Sequence, residues 1–460
     1  MAIFKLLALL TALFHFVLMS PTTVAPTSKK GTSGAVTHRS EGGKTVKAKI
    51  AVSQRYVSVD ASNPLYVNVV LDGIKAQTLK PLPLNLALVI DRSGSMAGQK
   101  LIDAKKAALG MIARLRTGDR LAIVTYSTYT RVVWPSSEVN DFTREQARDA
   151  VFRIRASGST NLSGGLQRGA SEVIRNLRTQ QVNRVLLISD GLANVGITSP
   201  RALNSFARDF LQRGISITTI GVGTDYSETV MTGIANAGGG NYYYVNDSRQ
   251  LAGIFQKELV EMATTVAQNV TVELTLRPGV RLTQVFGYHF KQEGDTVIVP
   301  LAELFSGQHR DILAELQLPA REKGLHPVVD VRLSFRNSQN GKTEAFKTTL
   351  GVESTNDDRL IRQGRDDDVW LRVEELRVAQ TVKRAMHLYS FGRDKEADRL
   401  LGDSLRRTEK LRSRHPGSRG LGNGLTLLRR VRKKMKTAKT APKRADVLKD
   451  ADFGRYKLSR

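Results

Sequence analysis

Residues 83–90 read PLNLALVI, a nearly unbroken apolar run that stops at Asp91. A strand apolar on both faces belongs in a parallel sheet covered on both sides. Residues 120–126 (RLAIVTY), 184–189 (RVLLIS), 215–222 (ISITTIGV) and 241–245 repeat the signal, with a short strand at 131–134. Between them, apolar positions return at helical spacing over 101–115, 143–154, 164–177, 200–212, 227–237 and 249–265. Gly214 stands just past one of these helices as a stop. The alternation of strand and helix predicts a doubly wound, mostly parallel α/β sheet over 84–265.

The pattern changes on both sides. Residues 47–83 and 266–352 alternate with period two, as in Val270-Thr271-Val272-Glu273-Leu274-Thr275-Leu276. These are antiparallel strands without helices, and neither flank is a complete sheet pair. The expectation is one β-sandwich, first part 47–83 and second part 266–352, with the α/β unit inserted. From 366 to 413 the period is helical again. Asp366-Asp367-Asp368 suits the positive end of a helix dipole.

The N-terminus reads as an address. Lys5 precedes an apolar stretch over 6–19 broken only by Thr11 and His15. Residues 1–25 are expected to be a secretory signal peptide or an N-terminal anchor, the run being short for a membrane span. Thr23-Val24-Ala25 has the small-x-small pattern, but Pro26 follows it. Either alternative places the body outside the cytoplasm: periplasmic, membrane-anchored or extracellular. Residues 26–46 are expected to be a flexible linker.

Charge adds a second theme. The 460 residues hold 70 Lys and Arg against 43 Asp and Glu, a formal net charge of +27. From 404 to 460 there are 19 Lys and Arg against 4 Asp and Glu, densest at Arg429-Arg430-Val431-Arg432-Lys433-Lys434-Met435-Lys436. Residues 414–460 therefore read as a flexible basic tail able to meet anionic lipid, lipopolysaccharide, nucleic acid or another polyanion. With no cysteine, disulfides, thiolate metal sites and a cysteine nucleophile are excluded.

Three separated segments carry the chemistry: Asp91-Arg92-Ser93-Gly94-Ser95-Met96, Gly158-Ser159-Thr160-Asn161 and Ser189-Asp190-Gly191. All follow buried strands or precede helices, which places them on the carboxyl edge of the sheet, where open parallel sheets bind ligands. Asp91, Ser93, Ser95, Thr160 and Asp190 offer two carboxylates and three hydroxyls. Such a hard oxygen set suits Mg²⁺, with Mn²⁺ or Ca²⁺ as alternatives, and lacks the imidazole or thiolate that favours zinc. Asp225 reads as a cap of the following helix. Tyr242, Tyr243 and Tyr244 offer a binding surface, although one or two of the rings are expected simply to pack. Ser136, Ser137 and Glu138 stand where they could border the site but read as ordinary loop residues.

DxSxS followed by a distant Thr and a distant Asp resembles the metal-ion-dependent adhesion site of von Willebrand factor type A domains. The stretches LVIDRSGSM, GSTNLSGGL, LLISDG and GVGTDYSE extend the resemblance over about 84–265. It implies that Asp91, Ser93, Ser95, Thr160 and Asp190 hold a divalent metal, directly or through water. It also implies that a carboxylate from a partner protein completes the coordination. The wider layout is similar to bacterial calcium-activated chloride channel-like proteins and to inter-alpha-trypsin inhibitor heavy chains.

Other chemistries fare poorly. No His-Glu-x-x-His occurs, and Ser93 and Ser95 have no evident base. Gly94 to Lys100 lacks the spacing and ending of a phosphate loop. The sequence thus predicts an exported, non-catalytic adhesion or assembly protein. The alternative is a structural envelope or scaffold protein whose basic tail binds polyanions without metal.

Overall fold

A computed structural model of the chain describes residues 38–43, 45–60, 64–75 and 80–460. The expected address segment 1–25 lies outside the described residues. The chain opens with β1 (His38–Gly42), β2 (Val46–Val52), β3 (Tyr56–Ser58) and β4 (Pro64–Gly73). It continues through β5 (Leu84–Asp91), α1 (Gln99–Arg114), β6 (Arg120–Tyr126), β7 (Thr130–Glu138), α2 (Asp141–Phe152) and α3 (Leu162–Ile174). Next come β8 (Val182–Ser189), α4 (Pro200–Gln212), β9 (Ser216–Val222), α5 (Glu228–Ala237), β10 (Gly239–Val245) and α6 (Leu251–Ala263). A second run of strands follows: β11 (Thr265–Leu276), β12 (Arg281–Val285), β13 (Lys291–Glu293), β14 (Thr296–Phe305), β15 (His309–Gln317), β16 (Gly324–Asn337) and β17 (Thr343–Thr355). The chain ends in α7 (Asp358–Gln363), α8 (Asp367–Ser390), α9 (Asp394–Arg414), α10 (Arg419–Thr437) and α11 (Ala441–Leu458).

The middle of the chain forms a six-stranded sheet in the order β10-β9-β8-β5-β6-β7, parallel except for β7. Every residue of β5 is buried. Its side chains alternate between two apolar layers, with Leu84, Leu86, Leu88 and Ile90 on one face and Ala87 and Val89 on the other. Helix α1 covers the first face, and α3 to α5 cover the second. The strand order reverses between β5 and β8, which opens a crevice at their carboxyl ends.

Strands from before and after this unit share sheets. β4 pairs antiparallel with β15 over Pro64↔Gln317 to Asp72↔His309, within the order β1-β2-β4-β15-β12. The second flanking sheet runs β13-β14-β11-β16-β17-β3. Period-two residues of both sheets, such as Val46, Ala48 and Ile50 of β2 and Val270, Val272 and Leu274 of β11, meet in one apolar cluster.

Two expectations are corrected. The stretch 26–46 is not wholly linker, because His38–Gly42 pairs antiparallel with β2. Pairing along an edge uses backbone groups and needs no apolar sequence. Nor is 414–460 a flexible tail: α10 and α11 pack against α8 and α9 through Leu427, Leu428, Val431, Met435 and Val447. The densest basic run is largely neutralised, by Arg429–Glu409, Arg430–Asp450, Arg432–Asp398 and Lys434–Asp446 pairs at 2.8–3.0 Å. At α8 the acidic run does mark a helix start, with Asp366 accepting from the Val369 N–H at 3.0 Å. Among the described residues, no helix is long and apolar enough to cross a membrane.

Candidate metal centre

The end of β5 and the end of β8 lie side by side at the reversal point, so Asp91 and Asp190 reach the same crevice. Both side chains are fully buried. The turn after β5 is held by Gly94 N–H donating to the Gly158 carbonyl (2.9 Å) and Ser157 N–H donating to that of Arg92 (2.7 Å). These bonds tie the first segment to the loop that carries Thr160.

Four of the five residues form a continuous hydrogen-bonded chain. The Ser93 N–H donates to Asp91 Oδ1 at 2.8 Å, the Ser93 and Ser95 hydroxyls lie 3.0 Å apart, and Ser95 Oγ donates to Asp190 Oδ1 at 2.7 Å. Thr160 joins from the side. A Cβ placed on Gly191 would fall 3.3 Å from both Ser95 Oγ and Thr160 Oγ1. Gly191 therefore leaves open the space on which these hydroxyls border.

Three supporting residues were not singled out from sequence. Ser189 Oγ donates to Asp91 Oδ2 at 2.9 Å. Asn194 fixes Thr160, accepting its N–H at 2.8 Å and donating its own backbone N–H to the Thr160 carbonyl at 3.1 Å. Lys100, on the first turn of α1, places Nζ 2.6 Å from Asp190 Oδ2. Ser189 stood beside the proposed ligand, and Asn194 four residues past it, with no spacing rule to mark either. In the sequence Lys100 reads only as the end of an incomplete phosphate loop, whereas in the structure it is the counter-ion of Asp190.

This donor set fits a hard divalent cation. Burial pushes the Asp91 carboxyl above its ordinary range, opposed by the hydrogen bonds from Ser93 and Ser189. A buried carboxylate of this kind gains from a cation nearby, and Lys100 shows that positive charge is accommodated on Asp190. Among the described residues, no three His, Cys, Asp or Glu side chains gather as a metal-holding group. A cation here would depend on the hydroxyls of Ser93, Ser95 and Thr160 beside the two carboxylates.

The remaining candidates lie elsewhere. Ser136, Ser137 and Glu138 belong to strand β7 rather than to a loop, and Glu138 pairs with Arg120 at the opposite edge of the sheet. Ser227, not Asp225, caps α5 by accepting the Val230 N–H. Tyr242, Tyr243 and Tyr244 are all buried. Their phenols bond to Tyr226 (2.7 Å), Glu258 (2.8 Å) and Asp446 of α11 (2.7 Å).

A doubly wound sheet with DxSxS, Thr and Asp converging at its switch point defines a class, and the chain contains a von Willebrand factor type A domain. Residues 85–257 match the family profile of that domain. The protein YfbK of Escherichia coli is 29% identical over 252 residues, covering 52% of this chain and 43% of YfbK. Inter-alpha-trypsin inhibitor heavy chain H3 of Pongo abelii is 28% identical over 236 residues, covering 48% of this chain and 26% of H3. The chain thus spans less than half the length of either relative. Among solved structures, von Willebrand factor type A from Catenulispora acidiphila superposes with a TM-score of 0.68 at 17% identity, covering 85% of this chain and 92% of that one. The ArnB paralog VWA2 from Sulfolobus acidocaldarius gives a TM-score of 0.61 at 18% identity, covering 90% and 99%. These likenesses establish the shared fold.

Proposed function

We propose that the protein is a non-catalytic binding protein that holds a divalent metal on Asp91, Ser93, Ser95, Thr160 and Asp190 and uses it to recognise a carboxylate on a partner protein. One observation carries this reading: the hydrogen-bonded chain Asp91–Ser93–Ser95–Asp190, with the Thr160 hydroxyl beside it, at the sheet's switch point. When bound, the metal supplies an electrophilic centre with positions left for water or an outside oxygen. The protein's own residues fix the donors: Ser189 orients Asp91, Asn194 holds Thr160, and Gly191 leaves room beside the hydroxyls.

Exposed apolar side chains surround this edge, as expected of a surface that meets another protein. Tyr129 in the β6–β7 turn, Leu192 beyond β8 and Ile197 are 78%, 59% and 40% exposed. The apolar stretch over 6–19 supports export, which would place this surface where it meets partners outside the cytoplasm. The scaffold alternative rests on a free basic tail, and the pairing within α9 to α11 gives it no specific support.

Thermal unfolding of the full chain, in EDTA and then in Mg²⁺, Mn²⁺ or Ca²⁺, tests the metal reading. A cation that binds only the folded state raises apparent stability. The expected result is a rise in the wild type that Asp91→Ala abolishes. An equal rise in both proteins, or none with any cation, would contradict it.

A further inference from the structure

Beside the metal centre lies a second concavity of about 670 Å³, between β6, β7 and the C-terminal end of α2. Arg92, Arg131, Arg153 and Arg155 line it, with Asp149 the one acid among the described lining residues. No ion pair joins any of the four guanidinium groups to a carboxylate among the described residues. Arg92 Nη1 donates to Ser157 Oγ at 2.6 Å, and Arg155 Nη1 to the backbone carbonyls of Phe152 and Ile154 at 2.6 and 3.1 Å. Unneutralised positive charge in a cleft is a recognition element for anions, and guanidinium suits carboxylate through paired N–H donors.

The cleft also offers a polar and an aromatic group. Thr125 lines it from β6 and is 1% exposed, and its hydroxyl has no partner among the described residues. It shares this state with the buried hydroxyls of Thr45, Ser338 and Ser354, so it adds a free polar group to the cleft without setting the cleft apart. The indole of Trp134, half-buried on β7, adds an aromatic face.

The cleft is continuous with the metal centre through the backbone. Arg92 sits between Asp91 and Ser93, and its N–H donates to the Tyr126 carbonyl at 2.8 Å. Arg153 and Arg155 lie on the segment that leads from α2 to Thr160. The cleft and the proposed metal centre thus share the loops that carry Arg92 and Arg155, whose guanidinium groups are held by hydrogen bonds.

We infer that this arginine cleft is a second anchor for the same partner, which presents an acidic peptide segment: one carboxylate to the metal and at least one more to Arg92, Arg131, Arg153 and Arg155. The inference rests on the proposed metal reading for its first anchor. A peptide fits better than a uniformly charged polymer. Trp134 and the exposed Tyr129 and Leu192 give apolar surface that side chains between the acids would cover.

The test uses the full chain and fluorescein-labelled hexaglutamate, followed by fluorescence polarisation in Mg²⁺ and in EDTA, with tripolyphosphate as competitor. The paired variant Arg131→Glu/Arg153→Glu removes two exposed cations that take no part in the proposed metal binding. Its expected effect is a loss of affinity of at least about tenfold, with the metal-induced thermal shift intact. Asp91→Ala should instead lose the Mg²⁺-dependent part and keep a weak, salt-sensitive remainder. If EDTA changes nothing while the charge reversal still abolishes binding, the cleft stands and the metal reading fails. Unchanged affinity in the paired variant overturns the inference. So does tripolyphosphate displacing the peptide at far lower concentration than free hexaglutamate, which would assign the cleft to phosphate polymers.

Discussion

Asp190 faces two claims on its carboxylate: Ser95 donates to one oxygen and Lys100 to the other. The Lys100 ammonium opposes any divalent cation arriving nearby, and at 29% exposure its flexible stem can swing out to solvent. Lys100→Met should therefore raise affinity for Mg²⁺ or Mn²⁺ by about tenfold, after screening of the lysine charge. Calorimetric titration checks this; unchanged or weaker binding would show that Lys100 does not compete with the metal. Gly191→Ala probes the space from the other side, since its methyl carbon would crowd Ser95 and Thr160 at 3.3 Å. Weaker metal binding is expected, with urea stability in EDTA lowered by no more than about 1 kcal/mol. A fully retained affinity would mean that this space is not used. At this scale the convergence of the five proposed donors was legible in the sequence, because DxSxS, Thr and Asp each follow or precede a recognisable strand or helix. It was silent about Lys100, Ser189 and Asn194, whose roles depend on which loops meet across the crevice.

Between elements, one buried ionic cluster joins three parts of the fold. Arg184 of β8, 1% exposed, donates to Glu258 of α6 at 2.9 Å and to Glu303 of β14 at 2.8 Å. Thr218 donates to the same Glu258 oxygen as Arg184, Tyr243 and Asn241 donate to the other, and Ser216 donates to Glu303. The cluster fixes the last helix of the α/β unit to its sheet and to the flanking sheet. Arg184→Met would leave two buried carboxylates without their cation and should cost about 3–5 kcal/mol in urea denaturation. A loss below about 1 kcal/mol would show that the carboxylates neutralise or repack at little cost. Helices α10 and α11 illustrate a signal present but overridden. Leu421, Leu425, Leu428, Val431 and Met435 recur at helical spacing and are all buried. Charge density nevertheless suggested a flexible tail, because the neutralising Asp398 and Glu409 lie on α9, 20 to 34 residues earlier.

Among the described residues, helix α11 covers the β10 edge of the α/β sheet. Tyr456 of α11 packs edge-on against Tyr242 of β10, ring centroids 5.5 Å apart, and accepts the Tyr242 N–H at 3.1 Å. Lys449 bonds to Glu228 and to the Tyr226 carbonyl. The stretch expected to reach outward therefore seals the edge of the α/β sheet. Ending the chain after residue 440 should lower stability by at least about 3 kcal/mol through exposure of Tyr242 and Tyr244. An unchanged unfolding midpoint would mean that α11 contributes nothing to holding the sheet. The carboxyl edge, with its proposed metal donors and exposed apolar side chains, is the surface proposed for recognition. The account depends most on that edge binding a cation, and Mn²⁺ reports on it directly. Titrated into the full chain, Mn²⁺ should lose its free-ion electron paramagnetic resonance signal up to a single equivalent, and Asp91→Ala should leave the signal intact. A free-ion signal undiminished by wild-type protein, or diminished equally by Asp91→Ala, would contradict the central claim.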